Sequence, residues 1–283
     1  MSDRVSLSDV TRLRALFSEK EWNSYPNETF VFNNLCKLMD NLTKEQSDLI
    51  FELTNDFLWL SGSEYEGRFN QILNFMFEKI DFSKCHFIYL IPVSQVKDRN
   101  KIKSASHCVY VFKNLLSMNR NYSNTKKEII EDYELLNKTN FKNDGTELIF
   151  FVDDFVGTGD TFSDCWLDIT KNETININNS VLISLVLLEE GHRYITERFG
   201  LPIYYSELCR KGITDKYAAN ELEEKYNIMK VIESHCKPGK FTFGYKQSEA
   251  LVSMSRTPNN TFPVFWKKSV IKRNEIEPPF PRL

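Results

Sequence analysis

Residues 148–161 read Leu-Ile-Phe-Phe-Val-Asp-Asp-Phe-Val-Gly-Thr-Gly-Asp-Thr. The apolar run 148–152 leads directly into two adjacent carboxylates, Asp153 and Asp154, and a turn rich in Gly and Thr follows. Such a run predicts a strand covered on both faces, as in a parallel sheet. Neighbouring like charges repel, and a charge is costly to bury without a partner. The pair therefore indicates either a solvated loop or a site that binds a ligand.

The rest of the chain places this stretch in an α/β fold. Short apolar runs predict further strands, and helical spacing or charged segments predict helices between and after them. The predicted strands are 86–93, 108–112, 181–188 and 201–205, and the predicted helices are 126–136, 161–170, 192–199 and 216–234. Strands that alternate with helices favour a mostly parallel, twisted sheet flanked by helices.

The two ends of the chain have a different texture. Apolar residues in 7–80 follow helical spacing, whereas 241–266 mixes short strand-like runs with turns. We therefore expect a helical N-terminal layer over residues 1–82. We expect the α/β domain over 83–283, with a mixed C-terminal hood.

Composition limits the class of protein. Of 283 residues, 41% are apolar and 27% charged, as in ordinary globular proteins, and the net charge of −3 predicts no long-range attraction for nucleic acid. Local basic patches stay possible, for example Lys267, Lys268, Lys272 and Arg273. No apolar run is long enough to span a bilayer, and residues 1–6 lack the apolar core of a secretory signal. Six scattered cysteines without a Cys-x-x-Cys pair predict reduced thiols in a cytoplasm.

The turn after the aspartates has the features of an anion site. Ligands of parallel sheets bind at the carboxyl ends of the strands. Thr161 and Asp164 have the spacing of a capping box, which predicts a helix start. A helix N-terminus offers N–H groups and a positive dipole end to phosphate. Vicinal hydroxyls beside a phosphate, as in ribose 5-phosphate, would suit both the acids and the turn.

Other nucleotide motifs fit less well. A dinucleotide-binding G-x-G-x-x-G motif fails at Phe162, and the chain has no G-x-x-x-x-G-K-[ST] sequence. The alternative without a ligand is an ordinary connection between a strand and a helix, carrying a solvated Asp pair.

The segment 149–161 closely resembles the signature of the type I phosphoribosyltransferases. The resemblance implies a Mg²⁺-dependent transferase in which Asp153 and Asp154 hold the ribose hydroxyls of 5-phosphoribosyl-1-diphosphate. Mg²⁺ would be held mainly through the ligand, with both aspartates as possible ligands. The residues that would wrap the 5-phosphate are Val156, Gly157, Thr158, Gly159, Asp160 and Thr161. Asp160 departs from the family pattern, which commonly has Gly or Lys there.

The resemblance also implies two further contact regions. The diphosphate loop would be 94–106, with Lys103 and Ser104 as the candidate pair; the alternative is a solvated loop. The acceptor would lie near Glu189 and Glu190, which could equally be solvated residues at a helix start.

The tail, from Gly244 to Trp266, resembles a divergent bacterial branch of that superfamily (PRTase-CE-like) found in conflict and phage-defence gene neighbourhoods, some linked to retrons. This implies a cytoplasmic, bacterial antiphage effector that acts on an unknown acceptor. Two alternatives stay open. One is a regulator that senses nucleotides or 5-phosphoribosyl-1-diphosphate without turnover. The other is an effector subunit controlled by a partner protein or nucleic acid. No membrane partner is expected.

Overall fold

The computed structural model describes residues 7–95, 104–122 and 124–282. The α-helices in these residues are α1 (Leu7–Glu19), α2 (Glu28–Asn41), α3 (Lys44–Asn55), α4 (Tyr65–Lys79), α5 (Ser104–Met118), α6 (Tyr133–Lys138), α7 (Asp160–Ile169), α8 (Glu189–Phe199) and α9 (Ala219–Ser234). The strands are β1 (Leu58–Trp59), β2 (Phe87–Pro92), β3 (Lys126–Ile129), β4 (Glu147–Val156), β5 (Ser180–Leu188), β6 (Ile203–Cys209), β7 (Val252–Ser253), β8 (Ser269–Ile271) and β9 (Asn274–Ile276).

The chain divides into two compact units. The terminal unit comprises Met1–Gly62 and Arg210–Leu283, and the central unit comprises Ser63–Cys209. These bounds differ from the division expected at residue 82, because α4 belongs to the central unit and the C-terminal tail to the terminal unit. No helix in the described part of the chain is both long and apolar enough to cross a bilayer.

The central unit contains a parallel sheet in the order β3-β2-β4-β5-β6. The predicted fold class, a parallel sheet flanked by helices, is therefore confirmed. β2 comes first in sequence among these strands, with β3 on one side and the other three on the opposite side. The strand order thus reverses between β2 and β4, and ligands of open parallel sheets bind at the carboxyl ends of the strands at such a point.

Helices cover both faces of β4. All nine residues of β5 and eight of the ten in β4 are buried, as their apolar sequences require. Phe151 packs edge-on against Trp166 of α7, with ring centroids 5.6 Å apart. Phe150 points to the other face, where its ring centroid lies 6.3 Å from that of Phe112 in α5. Because successive side chains of a strand point to opposite faces, β4 packs against α7 on one face and against α5 on the other.

The predicted strand 108–112 is wrong, because these residues lie in α5. The buried residues of α5 recur at helical intervals of three and four positions: Ala105, Cys108, Val109, Phe112, Leu115 and Leu116. The five-residue run was too short to reveal this period. Its β-branched and aromatic residues favoured a strand locally, whereas packing on the sheet favours the helix.

The predicted helix 126–136 is also wrong. Lys126–Ile129 is β3, an edge strand paired with β2, and a separate short helix, α6, follows. Its alternating half-buried and exposed residues fit a charged edge strand. Asp132 is the N-cap of α6, and its Oδ1 accepts hydrogen bonds from the backbone N–H groups of Glu134 (2.8 Å) and Leu135 (3.4 Å).

The terminal unit has a core of its own. The helical spacing predicted for 7–80 is confirmed by α1–α4, of which the first three lie in this unit. Thr43 and Gln46 form a capping box at the start of α3. Phe57 stacks on Phe280 of the tail, with ring centroids 4.5 Å apart. The mixed character predicted for the tail is present as β7, the β8–β9 hairpin and short 3₁₀ turns.

Candidate active site

Asp153 and Asp154 lie inside β4, because this strand continues to Val156 instead of ending at residue 152 as predicted. Pairing with β2 ends at Val152, which lies opposite Pro92, whereas pairing with β5 continues past both aspartates. The two aspartates therefore follow directly after the last residue of β4 that pairs with β2, at the point where the strand order reverses. Both residues are nearly buried, with 8% and 7% of their surface exposed.

Each aspartate has a defined hydrogen bond. The hydroxyl of Ser104, the first residue of α5, donates to Oδ1 of Asp154 at 2.8 Å. The backbone N–H of Asp154 donates to Oδ1 of Asp153 at 3.0 Å. Successive side chains of a strand point to opposite faces, so the two carboxylates diverge from the backbone. Adjacency in sequence therefore does not press the two charges together.

The turn after β4 leads directly into α7. Gly159 is the N-cap, with φ of 85°, a left-handed conformation that glycine adopts without strain. The predicted capping box is wrong, because α7 begins at Asp160 and Asp164 has a different partner. Nε2 of Gln95 donates to Oδ2 of Asp164 at 2.8 Å. The first turn of α7 is thus joined to the segment after β2.

The same turn is supported from behind by α8. A Cβ on Gly191 would overlap the carbonyl oxygen of Gly157 and lie 3.1 Å from its carbonyl carbon. A Cβ on Gly159 would lie 2.8 Å from Cδ1 of Tyr194. Only a residue without a side chain allows α8 to approach the turn this closely. In the sequence, the only sign of this role is a glycine directly before the predicted helix 192–199.

Asp160 is the first helical residue of α7, and its Oδ2 accepts a hydrogen bond from the hydroxyl of Thr158 at 3.0 Å. An acid at this position also interacts favourably with the helix dipole. The hydroxyl of Thr158 therefore helps to solvate the carboxylate that departs from the family pattern.

The described residues at the two ends of the predicted diphosphate loop have defined contacts. Before it, the hydroxyl of Ser94 donates to Oη of Tyr133 at 3.4 Å, and Gln95 contacts α7 as described above. After it, Ser104 contacts Asp154. Lys103, the other residue predicted for diphosphate, lies outside the described residues. Of the predicted pair, the structure describes Ser104 and brings it to the candidate site.

Glu189 and Glu190 open α8 immediately after β5. They therefore lie at the same carboxyl edge of the sheet as the aspartates, two positions or fewer from Gly191. Acids in the first helical turn stabilise the dipole, so this position also suits a structural role. His192, one residue further on, packs edge-on against Tyr205 with ring centroids 5.7 Å apart.

Two observations concern possible nucleophiles and metal ligands near the site. Burial, followed by the charges of Asp154 and Asp153, raises the pKa of the Cys108 thiol well above its usual range. Because the thiolate is the nucleophile, this cysteine is inert at neutral pH. No cluster of three or more His, Cys, Asp or Glu residues suited to a metal occurs within 7–95, 104–122 and 124–282.

A surface hollow of about 570 Å³ lies elsewhere on the central unit, lined by residues 77–83 and Asn121. Residues 80–83 precede β2, so the hollow borders the amino edge of the parallel sheet. The aspartates and the glycine turn lie at the carboxyl edge. The hollow is therefore separate from the candidate active site.

The PRTase-CE family model matches residues 36–282 of the chain. The chain belongs to the PRTase-CE family. The recognition made from the sequence is confirmed, and membership makes the protein phosphoribosyltransferase-like. The match extends from α2 of the terminal unit through the whole central unit to the tail. The PRTase-CE region therefore includes much of the expected N-terminal layer.

Comparisons with individual proteins add little to this assignment. No curated protein matches the chain. Among solved structures, the chain is similar to the AQ2163 protein from Aquifex aeolicus, with 11% sequence identity and a TM-score of 0.32. The match covers 66% of this chain and 86% of that protein. A similarity at this level carries no information about the substrate of this PRTase-CE protein.

Proposed function

We propose that this protein binds 5-phosphoribosyl-1-diphosphate at the carboxyl ends of β4 and β5 and transfers ribose 5-phosphate to an acceptor, releasing diphosphate. The observation that carries the proposal is the placement of Asp153 and Asp154. They are nearly buried, they begin where β2 stops, and a glycine turn that opens α7 follows them. Membership of the PRTase-CE family supports the same class of reaction.

The aspartates would bind the ribose hydroxyls. A carboxylate has about four acceptor positions. The bond from Ser104 uses one on Asp154, and the N–H of that residue uses one on Asp153. When the bond from C1 to the leaving diphosphate breaks, positive charge develops on the sugar ring. Fixed carboxylates stabilise such charge without reorganising at the moment of reaction.

The turn and the start of α7 would bind the 5-phosphate. The first helical hydrogen bond here runs from the N–H of Ser163 to the carbonyl of Gly159 at 2.8 Å. The N–H groups of residues 160–162 come before it and point out of the helix end, where they suit an anion. Gly191 would hold the backbone of the turn in place from behind.

The donor set also fits Mg²⁺. This ion keeps several waters and is usually held by one or two carboxylates together with substrate phosphates, so a site with two aspartates is sufficient. Asp153 and Asp154 are the residues that would hold it. Bound Mg²⁺ would offset the negative charge of the diphosphate.

The remaining roles follow from position and resemblance. Glu189 and Glu190 would face the acceptor, since they lie at the carboxyl edge next to β4. Lys103 and Ser104 would contact diphosphate, with Ser104 also orienting Asp154. The resemblance of the tail to defence-linked proteins supports a role as a bacterial antiphage effector.

The test compares wild type with the double variant Asp153→Asn/Asp154→Asn. Binding of 5-phosphoribosyl-1-diphosphate with Mg²⁺ is measured by calorimetry, and diphosphate release is measured with a panel of bases and nucleotides. The matched control is Asp168→Asn, in the last turn of α7, where the carboxylate pairs with Lys171. We expect release by wild type and the control, and loss of at least about a hundredfold in the double variant.

Two other results lead to different conclusions. Binding that depends on the aspartates, without diphosphate release under any condition, would favour a sensor that does not turn over. Absence of both binding and release in the folded wild-type protein would overturn the proposal.

A further inference from the structure

The tail is rich in positively charged residues, although the chain as a whole has a net charge of −3. Residues 235–273 contain eight Lys and Arg but only one acid, Glu249, which is 1% exposed. The chain has 36 Lys and Arg and 39 Asp and Glu, so 28 basic and 38 acidic residues remain outside this segment. A net charge of −3 is therefore compatible with a strong local positive field.

Part of this charge surrounds two partly exposed aromatic rings. Phe241 and Trp266 pack edge-on with ring centroids 5.6 Å apart. Nζ of Lys240 lies 5.3 Å from the centroid of Phe241, and Nζ of Lys267 lies 5.8 Å from that of Trp266. The guanidinium of Arg282 also lies over Trp266, at 5.9 Å. Three cations thus flank two adjacent rings. We call these five residues, Lys240, Phe241, Trp266, Lys267 and Arg282, the basic aromatic surface.

Backbone contacts fix this surface. Nζ of Lys267 donates to the carbonyl oxygen of Lys237 at 2.8 Å, and Arg282 donates to that of Thr257 at 3.3 Å. The indole N–H of Trp266 donates to the carbonyl of Thr261 at 2.7 Å. Lys267 and Arg282 are thus oriented by neutral carbonyl groups. Lys268 differs, because it forms ion pairs with Glu275 and Glu277 at 3.2 and 2.7 Å.

We propose that the basic aromatic surface binds single-stranded nucleic acid, with Lys240, Lys267 and Arg282 contacting phosphates and Phe241 and Trp266 contacting bases. Cations neutralise phosphates, and aromatic rings stack on bases largely without regard to sequence. An acidic peptide would use the cations but gain little from the rings. This inference does not depend on phosphoribosyl transfer.

The test uses the full chain and fluorescein-labelled oligo-dT and oligo-rU of about 20 nucleotides, a length that exceeds typical binding sites for single strands. Anisotropy is measured at about 50 and about 200 mM salt. With about three phosphate contacts, the logarithmic salt slope is about −2, so affinity should fall roughly tenfold or more over this range.

Charge reversal locates the site. The double variant Lys240→Glu/Lys267→Glu should weaken binding at least roughly tenfold and reduce the salt slope. The matched control, Lys138→Glu/Lys142→Glu, makes the same change in net charge at exposed positions of the central unit. It should change affinity by less than about twofold, because neither lysine belongs to the basic aromatic surface.

A separate variant tests the rings. Phe241→Leu keeps an apolar side chain but removes the aromatic face, and it should weaken oligonucleotide binding by roughly tenfold. Circular dichroism confirms that each variant is folded. The proposal is overturned by absence of saturable binding, by equal losses in the two double variants, or by tighter binding of a poly-glutamate peptide than of either oligonucleotide.

Discussion

Gly191, in the first turn of α8, lies directly against the carbonyl group of Gly157 in the turn between β4 and α7. A Cβ at position 191 would overlap that carbonyl oxygen and lie 3.3 Å from the backbone nitrogen of Gly159. The obstacle is backbone, so rotation of a side chain cannot relieve the overlap. The position of the glycine turn is therefore set by a residue more than thirty positions later in the chain.

Gly191→Ala should displace the turn and weaken binding of ribose 5-phosphate by at least roughly tenfold, as measured by calorimetry. The control is Gly67→Ala in α4, where a Cβ would meet nothing within 4 Å. Alanine there should raise the free energy of unfolding by about 0.5–1 kcal/mol and leave ligand binding unchanged. Wild-type affinity in Gly191→Ala would show that the turn does not bind the ligand.

Ser104→Ala removes the hydroxyl that donates to Asp154. A hydrogen bond to a charged group contributes about 1.5–3 kcal/mol, so the affinity for 5-phosphoribosyl-1-diphosphate should fall roughly tenfold or more by calorimetry. Ser104→Thr keeps the hydroxyl and should recover most of this loss. If alanine and threonine gave the same affinity, the hydroxyl would have no part in orienting the carboxylate.

Asp160→Asn removes a negative charge from the first turn of α7 while keeping an oxygen that can accept from Thr158. If a phosphate binds here, lower repulsion should raise its affinity by roughly three- to tenfold, an effect of about 1 kcal/mol. The gain should shrink as salt increases. Asp168→Asn at the other end of the helix should change nothing. Weaker phosphate binding by Asp160→Asn would mean that this carboxylate supports the site.

Glu233 should make the terminal unit less stable as pH rises. It is fully buried, and its Oε2 accepts a hydrogen bond from the N–H of Phe243 at 2.9 Å. The pKa of Glu233 is raised from 4.5 to about 8, mainly by burial and also by the charge of Glu249, against the opposing effects of the Phe243 hydrogen bond and the charge of Lys267. Between pH 4.5 and about 8 the folded state keeps a proton that the unfolded state has lost. The free energy of unfolding should therefore fall across this range by up to about 5 kcal/mol.

Urea unfolding at several pH values measures this slope. Three of the four tryptophans, Trp22, Trp59 and Trp266, report on the terminal unit by fluorescence. Glu233→Gln is neutral at every pH and should abolish most of the slope. An unchanged slope in that variant would assign the pH dependence to other groups.

The strands of the sheet could be predicted only where the local sequence has a clear pattern of apolar residues. The strands at 86–93, 148–152 and 181–188 were predicted because uninterrupted apolar runs are buried whatever surrounds them, and β2, β4 and β5 confirm them. Short or charged segments were not decided locally. Residues 108–112 are helical because they lie within the longer helix α5, whose flanking residues continue the helical pattern. Residues 126–129 form a strand because they pair with the edge of β2.

The main features of the candidate site could be predicted from sequence alone: two carboxylates, a glycine turn and a helix start lie within fourteen consecutive residues. Such a stretch is defined by local spacing, so no distant partner is needed to detect it. Three other features became visible only in the fold: β2 stops beside the aspartates, Ser104 donates a hydrogen bond to Asp154, and Gly191 supports the turn. These contacts join positions far apart in the chain, and their geometry depends on how helices pack onto the sheet.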